Sequence, residues 1–350
     1  MDFYLRRMEP ALAETAERLG RFLGTSGENL CLVDNATVGM NMVANGFPLA
    51  AGDEVLANDH EYGAVLRIWR RRCARSGAGL VVQPLPERLQ SPDEIVDTLL
   101  AAATSKTRLI VVSHITSPTA VILPVGQICR RARARGIAVC IDGPHAPAAV
   151  DVALDRLDCD FYTASCHKWL SAPFGSGFVY APPLNRRQLE PVVVSWGGSL
   201  GGRPPDWRDE YIWSGTRDLA AWLAVPAAID FIEQVGVRAF RDHAHRLARY
   251  ARQKISALTG LEPLVPDSPD WYGVMISLPL PDCVGPPIEG HLHPLQKYLW
   301  EQHQIEIPVV NWRGRRWIRT SCHLYNHAGE IDRLTEALGE WLAAARAGGT

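Results

Sequence analysis

From Asn29 to Tyr180 short apolar runs alternate with amphipathic stretches, and this alternation constrains the fold more than anything else in the chain. Apolar runs near 54–57, 79–83, 108–113, 138–142 and 160–164 have the length of buried strands. Between them, near 62–76, 92–103, 124–135 and 144–149, the spacing predicts helices. Strands joined through helices by short connections run parallel in one sheet with helices on its faces, which is an α/β doubly wound arrangement. In such a sheet ligands gather outside the carboxyl ends of the strands. The residues at those positions are polar: Asp34 to Thr37, Asp59-His60-Glu61-Tyr62, Ser113 to Ser117, Asp142-Gly143-Pro144-His145 and Ser165 to Lys168.

The flanks complete the outline. Leu12, Ala16, Leu19 and Phe22 recur at helical spacing over about 9–23, Gly24 stops that helix, and Asn29 to Val33 is an apolar run leading into a helix that continues to about 45. Residues 182–205 are irregular, and two helices, to about 234 and from about 236 to 258, lead into a C-terminal part. There, strands are expected near 272–278, 305–310 and 316–320, with a helix near 291–303 and a terminal amphipathic helix carrying Ile331, Leu334, Leu338 and Trp341. The expected organisation is an N-terminal helix over 1–24, a large α/β domain over 25–225 and a smaller α+β domain over 226–350.

Lysine is scarce: the chain has Lys106, Lys168, Lys254 and Lys297, and only Lys168 follows an apolar run, Cys159 to Ala164, and precedes a glycine-rich return, Phe174 to Tyr180. Burial disfavours an ammonium ion, so a lysine at the end of such a strand becomes a nucleophile toward carbonyls, as a Schiff-base lysine must be. The other reading is a lysine whose stem packs on Trp169 while its head reaches water. Asp142 ends an apolar strand and either wants a cationic partner, such as a protonated ring nitrogen, or caps a following helix. His145 either faces the same site or is structural. Asp34 to Met40 brings small and polar residues to a helix start, which makes a phosphate site or simply a well-capped helix. Arg319, beside Trp317 on one face of a strand, is either a bidentate carboxylate clamp or a salt-bridge partner on an edge strand.

Composition narrows the field. With 350 residues, 47% of them hydrophobic, the chain buries a substantial core. A net charge of −2 and a pI near 6.6 provide no basic field for nucleic acid. No apolar run is long enough to span a membrane, and no metal-ligand spacing stands out. The eight cysteines never form a C-x-x-C pair and sit mostly within apolar segments, which points to reduced thiols and a cytoplasmic setting. A small molecule is the expected ligand.

Six pieces, in order, resemble one family. Asn35-Ala36-Thr37, His60-Glu61-Tyr62-Gly63-Ala64, Asp142-Gly143-Pro144-His145-Ala146-Pro147, Ser165-Cys166-His167-Lys168-Trp169-Leu170 with Gly175-Ser176-Gly177, Trp213-Ser214-Gly215-Thr216-Arg217-Asp218, and Arg319-Thr320-Ser321 followed by Tyr325-Asn326 are similar to the class V aminotransferase superfamily of pyridoxal-phosphate enzymes, in its isopenicillin N epimerase-like branch. The resemblance runs from about residue 10 to 345 and implies the aspartate aminotransferase-type fold, with a mainly parallel sheet in the large domain. It implies that Lys168 carries the cofactor as a Schiff base, that Asp142 pairs with the ring nitrogen and that His145 reaches the ring's phenolic oxygen. Ala36, Thr37, Ser165 and His167 would hold the phosphate, with Thr216 contributed by the partner in a homodimer. Tyr62, or else His60, would stack on the ring, Ser117 would lie at its oxygen edge, and Arg319 would clamp an amino acid's carboxylate.

Two departures from the family pattern stand out. Relatives begin with a further segment bearing an Asn-His-Gly-type turn, which motivates an alternative in which the chain is a non-catalytic binding or scaffold relative. Residues 301–318 contain no cysteine, which speaks against a desulfurase. Retention of the lysine, the aspartate and the arginine together favours an enzyme acting on an amino acid by epimerisation, C–S or other β-elimination, or transamination.

Overall fold

The computed structural model describes residues 2–197, 206–286 and 292–347, and the chain divides into two compact units. The first comprises Met1–Pro86, Pro92–Ile115 and Leu123–Gly236; the second comprises Glu87–Ser91, Thr116–Ile122 and Val237–Thr350.

In the first unit α1 (Met8–Phe22) precedes β1 (Leu30–Val33), α2 (Ala36–Gly46), β2 (Glu54–Asn58), α3 (Gly63–Ser76), β3 (Gly79–Gln83), α4 (Pro92–Ala101), β4 (Thr107–Ser113), α5 (Val125–Arg133) and β5 (Ala138–Asp142). Next come α6 (Leu154–Leu157), β6 (Phe161–Ser165), β7 (Gly177–Tyr180), α7 (Asp209–Ile212), α8 (Ala220–Leu223) and α9 (Val225–Val235). The seven strands form one sheet in the order β1-β7-β6-β5-β4-β2-β3. Every pairing among β2 to β6 is parallel, whereas β7 runs antiparallel to both β6 and β1. The large unit is thus α/β with a mainly parallel sheet, and the glycine-rich return after Lys168 is a strand of that sheet.

Burial on both faces explains the continuous apolar runs. Leu109, Ile110, Val111 and Val112 of β4 are all fully buried, each contributing about 1.5–3 kcal/mol relative to exposure. Register then aligns the carboxyl ends: Ser113 pairs with Asp142, Asp142 with Thr163, and Gly177 with both Ser165 and Val33. Five polar strand ends, each read separately in the sequence, therefore share one edge.

The structure corrects some expected elements. No helix forms over 144–149; the segment is a series of turns, with Ala148 at φ 65°. Pro147 has no N–H to contribute there, so the cap reading of Asp142 falls with the helix. The expected helix to about 234 is broken at Ala224 into α8 and α9, because Pro226 starts a new helix. Part of the irregular 182–205 stretch lies outside the described residues.

The second unit contains α10 (Val237–Thr259), β8 (Met275–Pro279), α11 (Pro294–His303), β9 (Val309–Trp312), β10 (Arg315–Ser321) and α12 (Ala328–Ala347). Its three-stranded antiparallel sheet has the order β8-β10-β9, so β10 is central and Arg319 does not lie on an edge strand. The strand expected from residue 305 starts at Val309, since Pro308 cannot donate to a ladder. Two short segments of the first half of the chain join this unit: Leu89 N–H donates to Leu264 O, and Ile122 N–H to Trp271 O. Among the described residues no single helix is long and apolar enough to cross a membrane.

Candidate active site

The turn after β6 is held by backbone bonds that fix where Lys168 projects. Cys166 N–H donates to Ser176 O at 2.9 Å, Ala172 N–H to Cys166 O at 3.1 Å, and Ser171 N–H to Lys168 O at 3.0 Å. Lys168 Nζ lies 3.0 Å from His145 Nε2, and Trp169 Nε1–H donates to His145 Nδ1 at 3.2 Å. An indole nitrogen can only donate, so Nδ1 is an acceptor and the ring proton sits on Nε2, facing Nζ. The other lysines stand in different surroundings: Lys254 pairs with Asp332 at 3.0 Å, Lys297 with Glu301 at 3.7 Å, and Lys106 is exposed.

Asp142 is buried at the end of β5 and accepts from Thr163 Oγ1 at 3.3 Å. Burial pushes its carboxyl up to about 6, opposed by the charge of a protonated Lys168 and by the Thr163 hydroxyl. The following residue must be glycine. A Cβ at Gly143 would lie 2.2 Å from the ring of Tyr162, whose hydroxyl is bonded to His114 Nδ1 at 2.8 Å. Burial lowers His114 to about 4, so this imidazole is neutral.

At the neighbouring strand end, Ala36 N–H donates to Ser165 Oγ at 3.0 Å, and Asn35 caps α2 by accepting from Val38 N–H at 3.0 Å. The start of α2 comes this close because β7 carries glycine: a Cβ at Gly177 would stand 2.6 Å from Ala164 O and 2.9 Å from Asn35 Cα. Thr37, in the first turn of α2, is exposed. His167 packs on Phe174 at 5.2 Å between ring centroids, and among the described residues its Nδ1 is buried without a hydrogen-bond partner. Burial lowers the pKa of His167.

Of the two candidates for stacking, His60 is fully buried, with Nε2 4.0 Å from the Asp59 carboxylate, while Tyr62 is 49% exposed at the start of α3. Thr216 is exposed in the loop before α8, and that loop is tied to the end of β1 through an Arg217–Asp34 ion pair. In the second unit Arg319 donates from Nη1 to Ser117 O at 2.5 Å and to Ser117 Oγ at 3.1 Å. Its Nε is buried and unpartnered among the described residues, and burial lowers its pKa. Cys322, one strand end away, is buried, with its thiol pushed up to about 12.

The structure thus gathers Asp142, His145 and Lys168 into one cluster, Ala36 and Ser165 into an adjoining one, and Ser117 with Arg319 in the second unit. Four further residues contribute that sequence reasoning left without a role. Trp169 sets the His145 tautomer, Thr163 bonds Asp142, Tyr162 buttresses Gly143, and Glu61 holds the end of β4, accepting from Ser113 N–H at 2.9 Å and hydrogen-bonded to Ser113 Oγ at 2.6 Å. The signal for Glu61 was a carboxylate in a short turn between two apolar elements; its partner lies 52 residues away.

Comparison with known proteins agrees with this architecture. The family model described as aminotransferase class-V matches residues 5–334. Isopenicillin N epimerase of Amycolatopsis lactamdurans is 38% identical over 97% of this chain and 87% of its own length. The enzyme of the same name from Streptomyces clavuligerus is 38% identical over 97% of this chain and 86% of its own. Among solved structures, that of the cystine C-S lyase C-DES with its product cysteine persulfide superposes with a TM-score of 0.81 at 21% identity, covering 96% of this chain and 87% of that one. The chain belongs to the aminotransferase class-V family, within the pyridoxal-phosphate-dependent enzymes.

Proposed function

We propose that this enzyme moves a proton at the α-carbon of an amino acid and thereby epimerises it, with pyridoxal phosphate held at Lys168. The observation that carries the proposal is the Trp169–His145–Lys168 chain of hydrogen bonds, which directs a proton-bearing imidazole at the lysine amine. The 38% identity to two isopenicillin N epimerases supports the same reading.

The residues fit the cofactor on their own chemistry. Asp142 is a carboxyl buried at the strand end, raised by that burial, and a protonated ring nitrogen would be a suitable cationic partner for it. The unpartnered Nδ1 of His167, the hydroxyl of Ser165 and the first turn of α2 at Ala36 and Thr37 are suited to a phosphate. His145 suits the phenolic oxygen, and Tyr62, with its exposed ring, suits stacking better than the interior His60. Thr216 is assigned to a partner subunit's phosphate in a homodimer, and Ser117 and Arg319 to the oxygen edge and to the substrate carboxylate. When bound, the cofactor supplies an electron sink for the charge left at the α-carbon.

The chain's own residues do the rest. Lys168, as a free amine, would take the α-proton, His145 beside it would exchange protons with that amine, and a solvent-derived proton returned on the opposite face would complete the inversion. Asp142 would hold the ring nitrogen as its carboxylate partner. Arg319 orients the substrate through its carboxylate so that one bond at the α-carbon is presented for cleavage. Incubation of the reconstituted enzyme with single-enantiomer amino acids in deuterium oxide tests the proposal. Deuterium at the α-position together with the opposite configuration is expected. Keto acid or sulfide release without inversion would replace epimerisation by transamination or β-elimination.

A further inference from the structure

Glu61 is almost wholly buried between β2 and α3, and the partners of its two oxygens differ in kind. Oε1 accepts two N–H bonds, from Asn58 Nδ2 at 2.5 Å and from Ser113 N at 2.9 Å. The partner of Oε2 is a hydroxyl, Ser113 Oγ, at 2.6 Å. An amide N–H can only donate, whereas a hydroxyl also accepts. This division accommodates a neutral carboxylic acid, with the carbonyl oxygen toward the two N–H groups and the O–H toward Ser113 Oγ, because the one partner of Oε2 can also accept. The neighbouring groups agree with it. Across the Ser113–Asp142 rung the charge acting on Glu61 from β5 is Asp142, of like sign. Asp59 and His60 flank it on its own segment, while burial keeps the Cys140 thiol on β5 and the His114 imidazole beyond Ser113 neutral. Burial pushes Glu61 up to about 8 against the opposing bonds from Ser113 and Asn58, and Asp142 adds to the rise.

We propose that Glu61 is a positioning residue of the active site that works in its protonated form: it ties the end of β4 to the 58–61 turn and prevents a second negative charge from forming beside Asp142. The second part of that role rests on the reading of Asp142 as the partner of the ring nitrogen; the first part does not. A second carboxylate at this edge would raise the proton affinity of Asp142 and weaken its pairing with a cationic ring. Ionisation would also force Ser113 Oγ from acceptor to donor.

Glu61→Gln tests this, because glutamine reproduces the neutral pattern, with Oε1 accepting both N–H bonds and Nε2–H donating to Ser113 Oγ. The full chain without cofactor is melted between pH 5 and 9. A folded pKa above the unfolded value gives stability that is complete below about 4.5 and lost as pH rises through about 8. The parent is therefore expected to lose melting temperature across that window relative to E61Q, and parallel curves would overturn the proposal. Should E61Q fail to fold, the infrared carboxyl stretch of the parent decides: a protonated band present at pH 7 and lost toward pH 9 is expected, and its absence at pH 7 overturns the proposal. Pyridoxal phosphate affinity, read by absorbance, is then compared at pH 7 and 9. The ratio favouring E61Q should grow several-fold at the higher pH. A constant ratio beside diverging melting curves would overturn the link to Asp142 and leave the proton on Glu61 established.

Discussion

Replacing Gly143 by alanine places one methyl group where the structure has no room for it. The added Cβ would lie 2.2 Å from Cε1, Cζ and the hydroxyl oxygen of Tyr162, well inside carbon–carbon contact distance. The ring cannot swing aside: it stacks on Phe178 with 6.2 Å between centroids, and its hydroxyl is bonded to His114 at 2.8 Å. Overpacking costs about 1–3 kcal/mol, and loss of the buried Tyr162–His114 bond about 1 kcal/mol more, so a destabilisation of about 2–4 kcal/mol is expected. For a unit of this size that corresponds to a fall in melting temperature of roughly 5–15 °C. Gly126→Ala is the control, because its Cβ would meet Arg130 and Leu157 at 3.6 and 3.8 Å, ordinary contacts in the first turn of α5. That change should be neutral or stabilising by up to about 1 kcal/mol. Near-ultraviolet circular dichroism through a thermal or urea ramp reads both. If Gly143→Ala melts with the parent, the strand-end packing that positions Asp142 is wrong.

Asp142→Asn should stabilise the cofactor-free protein while impairing it as an enzyme. With a folded value of about 6 against an ordinary 3.8, the parent holds stability below about 3.8 that is gone above about 6, and the variant lacks this slope. At pH 7.5 the difference is about 2–3 kcal/mol in favour of asparagine, measurable by urea midpoint, while α-proton exchange falls by more than about tenfold. Arg319→Ala should weaken amino-acid binding by about 2–4 kcal/mol in a spectral titration, and lysine should not rescue it, having a point charge in place of a planar fork.

The parallel core was legible because each strand from β2 to β6 is an apolar run bounded by polar residues, and burial on both faces leaves that pattern intact. The antiparallel β7 was not, since Gly177-Phe178-Val179-Tyr180 shows no feature that sets strand direction; only its pairing with β1 and β6 does. The helix expected at 144–149 from the strand–helix alternation failed because Pro144 and Pro147 removed the donors it needed. In the candidate site, Lys168 and Asp142 stood out by scarcity and strand-end position, while the role of His145 came with the family resemblance. Trp169, Glu61 and Tyr162 could not be given roles, because each acts through a partner brought near by folding: His145, Ser113 and Gly143 respectively. Segments 87–91 and 116–122 joined the second unit for the same reason, through pairings with residues far along the chain.

The central claim is that Lys168 carries the cofactor, and borohydride reduction of the protein reconstituted with pyridoxal phosphate tests it most directly. Reduction fixes the cofactor to the amine that holds it, and peptide mass spectrometry then locates the adduct. The account predicts a single adduct on Lys168, lost in Lys168→Ala. An adduct on Lys106, Lys254 or Lys297, or an unmodified Lys168 in a protein that retains the cofactor, would contradict it.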